Sequence, residues 1–90
     1  MDTAKLPLKM SIANLFVDQV SRTKHTVFTE LKRSYGTEKQ FNRDSIENHL
    51  MSLKAVGILK AEEAQLNSRN ELVQAYSITS FGLTKLEQNI

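Results

Sequence analysis

The 90-residue chain has no cysteine and no tryptophan, a single proline and three glycines. Lack of cysteine excludes disulfides, thiolate metal ligands and cysteine nucleophiles together, and it fits a reducing compartment. Gly36, Gly57 and Gly82 lie far apart, so no glycine-rich loop is available to cradle a phosphate, and neither a nucleophile elbow nor a zinc-helix motif occurs. The only histidines, His25 and His49, are too few and too isolated for ordinary metal coordination. The chain therefore reads as non-enzymatic, with no metal or other cofactor expected. No apolar run approaches the roughly 20 residues that cross a bilayer, and the start MDTAKLPLKM lacks the apolar centre of a signal peptide. The expected location is the cytoplasm, without a membrane partner.

What is present is the composition of an ordinary folded domain, with 40% hydrophobic and 24% charged residues. Ninety residues suffice for one small domain that buries about 60 to 65% of its unfolded surface. So small a core invites a second copy to share it. Net charge is only +2 but unevenly placed. Through Arg43, eight bases face four acids, whereas the remainder has four bases and six acids, so the positive half leads directly into the segment that follows. That polarity could orient the protein on a phosphate backbone.

The segment in question, Asn42 to Leu59, carries Ile46, Leu50 and Leu53 at helical spacing and ends at Gly57. Either Asn42 or the capping box Asp44-Ser-Ile-Glu47 starts this helix. Its opposite face holds Asp44, Asn48, Ser52 and Ala55, which are small or polar. Such a face can lie close to another polymer and exchange hydrogen bonds with base edges, or it can simply be solvated.

Upstream, Leu8, Ile12, Leu15, Phe16 and Val20 predict an amphipathic helix from Pro7 to about Ser21. The polar stretch from Arg22 to His25 breaks the pattern, and a second helix follows with Val27, Phe28, Leu31 and Tyr35 on one side and Gly36 as its stop. Phe41 is expected to plug the junction beneath the next helix. Downstream, Ile58 to Leu66 reads as a strand with Leu59 and Ala61 inward, and Leu72 to Ile78 as another with Leu72, Tyr76 and Ile78 on one face. The turn formers Asn67-Ser-Arg-Asn70 join them into a hairpin. Thr79 caps a short last helix whose apolar face is Leu83, Leu86 and Ile90, and Gly82 within it implies close packing.

Two stretches resemble the winged helix-turn-helix family, in particular small prokaryotic regulators of the PadR, MarR and ArsR type. The first is Asn42-Arg-Asp-Ser-Ile-Glu-Asn-His-Leu-Met-Ser-Leu-Lys-Ala-Val-Gly-Ile-Leu59, which looks like a recognition helix and its exit. The second is Tyr76-Ser-Ile-Thr-Ser-Phe-Gly-Leu-Thr-Lys-Leu86, which looks like the end of a wing. The resemblance implies a mainly α fold with a two-stranded hairpin wing, in the order α-α-α-β-β-α, as a single winged-helix domain over residues 1–90. It implies binding to double-stranded DNA, with Arg43, Ser45, Asn48 and Ser52 nearest to bases and their flanking phosphates, and Asn48 as the adenine reader. Lys24, Thr26 and Lys39 would hold the backbone, and Arg69 at the hairpin tip would reach a minor groove or phosphate. A homodimer through the terminal helices, along Leu8, Ile12 and Phe16 with Leu83, Leu86 and Ile90, would set half-sites about one helical turn apart. The alternative is a winged helix that contacts protein only, which the acidic second half favours.

Overall fold

The computed structural model describes residues 6–88. Three helices come first, α1 (Leu8–Leu15), α2 (Lys24–Tyr35) and α3 (Arg43–Ala55); strands β2 (Leu59–Leu66) and β3 (Leu72–Ile78) and the helix α4 (Ser80–Gln88) follow. All six elements expected from the sequence are present. A short strand β1 (Arg22–Thr23) is added between α1 and α2, pairing antiparallel with β3 so that the sheet has three strands in the order β1-β3-β2. The stretch read as a polar break is thus an edge strand running straight into α2, whose cap is Thr23.

Helix α1 is shorter than its apolar spacing suggests. It gives way at Phe16 to a 3-10 turn and ends at Gln19, which takes a left-handed conformation at φ 66°. Val20, counted on the apolar face, is consequently 53% exposed. The cause is Arg22, whose guanidinium draws the chain round: Nη1 and Nη2 donate to the two Asp18 carboxylate oxygens at 2.9 and 2.8 Å, and Nε donates to Glu30 on α2 at 3.0 Å. Arg22 itself is buried and lies 5.6 Å over the Phe16 ring. Its hydrogen bonds hold the Asp18 carboxyl down at about 2. Because that value is depressed, the stabilisation is present above the ordinary carboxylate pKa and is lost as pH falls through about 2. Arg22→Leu should cost about 2 kcal/mol, since both carboxylates are part-exposed and are rehydrated when the guanidinium goes. Urea unfolding at neutral pH reads this directly, and an unchanged midpoint would show the clamp to be ornamental.

The core gathers Ile12, Phe16, Val27, Ile46, Leu50 and Leu59 as its most completely buried large side chains. Tyr35 ties α2 to the start of α1, its hydroxyl donating to the Leu6 carbonyl at 2.5 Å and accepting from Ser11 Oγ at 2.6 Å. Phe41 is buried as expected, its ring stacked 4.7 Å from that of Phe28. Of the residues read as a dimer seam, Ile12, Phe16 and Leu86 are buried within this core, Leu8 and Leu83 are half-buried against it, and Ile90 lies outside the described residues. Ile12, Phe16 and Leu86 thus belong to the monomer core.

Two strand readings also change. Ala61 and Leu72 are exposed, whereas the run from Ala75 to Ile78 is buried on both faces because β3 is the central strand. Leu72 lies beyond the core, where the hairpin projects as a wing. Between Glu62 and Gln65 the register slips, and Gln74 Nε2 fills the gap by donating to the Glu62 carbonyl at 2.5 Å and the Ala75 carbonyl at 2.8 Å. Such a bulge bends and twists the hairpin.

Candidate nucleic-acid interface

Helix α3 is set in place at both ends by its own residues. Asn42 is the cap: its Oδ1 accepts the Ser45 backbone N–H at 2.8 Å, and Asp44 in the first turn complements the helix dipole. At the other end Gly57 takes φ 87°, its N–H donates to the Lys54 carbonyl and the Ile58 N–H to Leu53, both at 3.0 Å. That pair of bonds closes the helix in a Schellman motif. Thr79 then couples this exit to α4, donating from Oγ1 to the Gly57 carbonyl at 2.6 Å and accepting the Gly82 N–H at 2.8 Å. Ile46, Leu50 and Leu53 are buried, so the opposite side of α3 is turned outward.

On that outward side Asp44, Asn48, Met51 and Ala55 are exposed. Spaced four, three and four residues apart, they form a single strip along the helix. Ser52 is displaced from it: half-buried, it accepts a 2.6 Å hydrogen bond from Lys9 of α1, 43 residues away. His49 lies on the same flank, and burial together with the nearby Lys9 charge pushes its pKa down. Ser45 is half-buried at the cap.

The other flank of α3 faces the wing. Lys24 at the start of α2 is paired with Glu47 at 2.8 Å, which raises the lysine pKa and fastens the two helices together. Arg43 lies over the Phe28 ring, 4.2 Å from its centroid, with Nε donating to His25 Nδ1 at 3.1 Å. Arg43, His25 and Arg69 border one cleft of about 530 Å³ between the helix starts and the wing tip. Thr26 is exposed in the first turn of α2, and Lys39 is exposed in the connection before α3.

Arg69 is presented by a built turn. Asn67 Oδ1 accepts the backbone N–H groups of Arg69 and Glu71, each at 2.9 Å, and Asn67 Nδ2 donates to the Glu71 carboxylate at 3.0 Å. Asn70 completes the reversal at φ 65°, a conformation asparagine tolerates. Of the eight residues singled out from the sequence, Arg43 and Arg69 are exposed around the cleft beside the wing tip, and Asn48 is exposed on the outer strip of α3. Lys24 and Ser52 are engaged within the protein. Sequence reasoning gave Lys9, His25, Glu47 and Asn67 no place at the interface; each acts through a side chain on another element or by folding back on its own turn. Only Asn67, inside a run of turn formers, carried a local signal.

No protein-family model matches the chain, and no curated protein matches it by sequence. Its structure, in contrast, is similar to several solved ones. Bacillus subtilis PadR, solved in complex with operator DNA, superposes with a TM-score of 0.72 at 17% identity over 90% of this chain and 45% of PadR. A PadR-like transcriptional regulator of Bacillus cereus gives 0.68 at 21% identity, covering 90% of this chain and 75% of that one. RosR of H. salinarum gives 0.70 at 19% identity, covering 94% and 70%. With four α-helices, a three-stranded antiparallel sheet and a projecting hairpin among the described residues, the chain has the winged helix-turn-helix fold found in PadR-like transcriptional regulators.

Proposed function

We propose that the protein is a cytoplasmic transcriptional regulator that binds double-stranded DNA in a sequence-specific manner, as one winged-helix domain over residues 1–90. Helix α3 enters the major groove, and the wing from Asn67 to Glu71 lies on the backbone or in the minor groove. The observation that carries this reading is the uncovered outer strip of α3 with Asn48 in its middle; Arg43 and Arg69 border the cleft between the helix starts and the wing tip. A protein of the same fold, Bacillus subtilis PadR, has been solved with operator DNA, which supports the same use of the fold here. Two copies joined through terminal helices would place half-sites about 10 base pairs apart. With Ile12, Phe16 and Leu86 in the core, that contact would use the half-buried Leu8 and Leu83 and the exposed Phe81.

A reading as a protein-binding module is favoured by one feature, the acids Asp44, Glu47 and Glu71 around the groove, which would repel phosphates. Selection of bound sequences from random duplex DNA separates the two. The DNA reading expects enrichment of a motif, with two-fold symmetry if two copies bind, and a pool left unenriched removes it. Asn48→Ala should then cost about 1 to 3 kcal/mol on the enriched duplex and little on random duplex, as its amide pairs with adenine. Equal losses on both duplexes would remove Asn48 as a base reader.

A further inference from the structure

We propose that α3 reads its site chiefly through the 5-methyl groups of thymine, with Met51 as the principal contact and Ala55 beside it. The inference rests on the DNA-binding reading and specifies what the outer strip of α3 recognises. Reading guanine from the major groove calls for a donor, usually arginine or lysine, aimed at O6 and N7. The outer strip has neither arginine nor lysine. Asp44 at its N-terminal end offers only acceptor oxygens, Asn48 offers an amide suited to adenine, and Met51 and Ala55 offer methyl and thioether surface.

Of the cations around the strip, three are engaged within the protein, whereas Lys54, beside Ala55 on α3, is exposed. Lys24 is paired with Glu47, Lys9 donates to Ser52, and Arg43 is held between His25 and the Phe28 ring. Arg43 and the exposed Lys39, Lys54 and Arg69 flank the strip rather than occupy it, a placement that suits the two phosphate walls of a groove.

Met51 is one of eight large apolar side chains exposed among the described residues, and it lies on the outer strip of α3. It is 55% exposed on a helix whose inner face is already filled by Ile46, Leu50 and Leu53, so packing within the chain does not account for a long apolar side chain at that position. With Ala55, Lys54 and Glu47 of α3 and Ala61, Gln74 and Tyr76 of the hairpin, it lines a depression of about 420 Å³. Thymine alone among the bases presents a methyl group in the major groove, and a flexible thioether moulds to such a small apolar projection. Met51 follows Asn48 by three residues, about 4.5 Å along the helix axis. The thymine it covers should therefore lie within a base pair or two of the adenine read by Asn48.

The test uses duplexes enriched by the full-length protein from a random pool, resynthesised with deoxyuridine in place of thymidine one position at a time. This removes a single methyl group and keeps every hydrogen-bonding atom. At one or two positions uracil should weaken binding about three- to fivefold, the equivalent of exposing one methyl group. In the M51A protein the penalty at those positions should shrink towards one. Met51 is exposed, so this variant retains its fold, which its circular dichroism and melting temperature verify. Equal affinity for thymine and uracil duplexes, or a uracil penalty unaltered in M51A, would overturn the inference and leave DNA binding intact. Failure to enrich any sequence would overturn both.

Discussion

Gly82→Ala is expected to destabilise the protein by about 4 kcal/mol or more, the exceptional end of single substitutions. A Cβ at position 82 would lie 2.3 Å from the Ile58 carbonyl oxygen and 2.9 Å from the Ile78 side chain. The oxygen cannot retreat, because it accepts the Thr79 N–H at 3.0 Å while the N–H of the same residue, Ile58, is bonded to Leu53 in the α3 exit. Nor can α4 back away, since the Gly82 N–H is held by Thr79 Oγ1. Relief on either side breaks the junction that joins α3 to α4. A domain of this size has only about 5 to 10 kcal/mol to lose, so denaturant unfolding would show a large fall in the midpoint. Gly57→Ala is the control. Its Cβ would meet only Phe81 ring carbons at ordinary contact distance, 3.6 Å, so the cost is the left-handed backbone alone, about 1 to 2 kcal/mol. A Gly82→Ala protein as stable as the Gly57→Ala one would mean that the close approach of α4 to Ile58 is misplaced.

Affinity for duplex DNA should drop roughly a hundredfold between about 50 and 200 mM salt. Four exposed bases border α3 and the wing, Lys39, Arg43, Lys54 and Arg69. If each neutralises one phosphate, the logarithm of the binding constant falls with a slope of about −0.9 per contact against the logarithm of salt. Arg69→Ala should reduce the slope by about one and weaken all sequences alike. Lys24→Ala should leave it nearly unchanged, because Lys24 is already neutralised by Glu47. Fluorescence anisotropy over a salt series measures all three. A flat dependence would point instead to a protein partner, since an apolar contact responds little to screening.

The contrast between Lys24 and Arg69 shows how much of the interface could be read in advance. Both are bases near polar residues, and nothing in the sequence ranks them. Arg69 sits among the turn formers Asn67, Ser68 and Asn70, so its place at a hairpin tip follows from local chemistry. Whether Lys24 is available depends on Glu47, on a different helix. Ser52 shares a helix face with Asn48 at a spacing of four, yet Lys9 claims it from α1. Local rules set the direction a side chain leaves its helix; they do not say what arrives from elsewhere.

The order of the six expected elements, the glycine exit at Gly57, the buried stripe of α3 and the hairpin around Asn67 were all determined by the sequence alone, because each rests on interactions within a few residues of chain. Strand β1, the early end of α1 at Arg22, the burial of both faces of β3 and the occupation of Lys9, Lys24 and Arg43 were decided only by the tertiary structure. Each depends on groups brought together from distant parts of the chain, which no periodicity or propensity encodes.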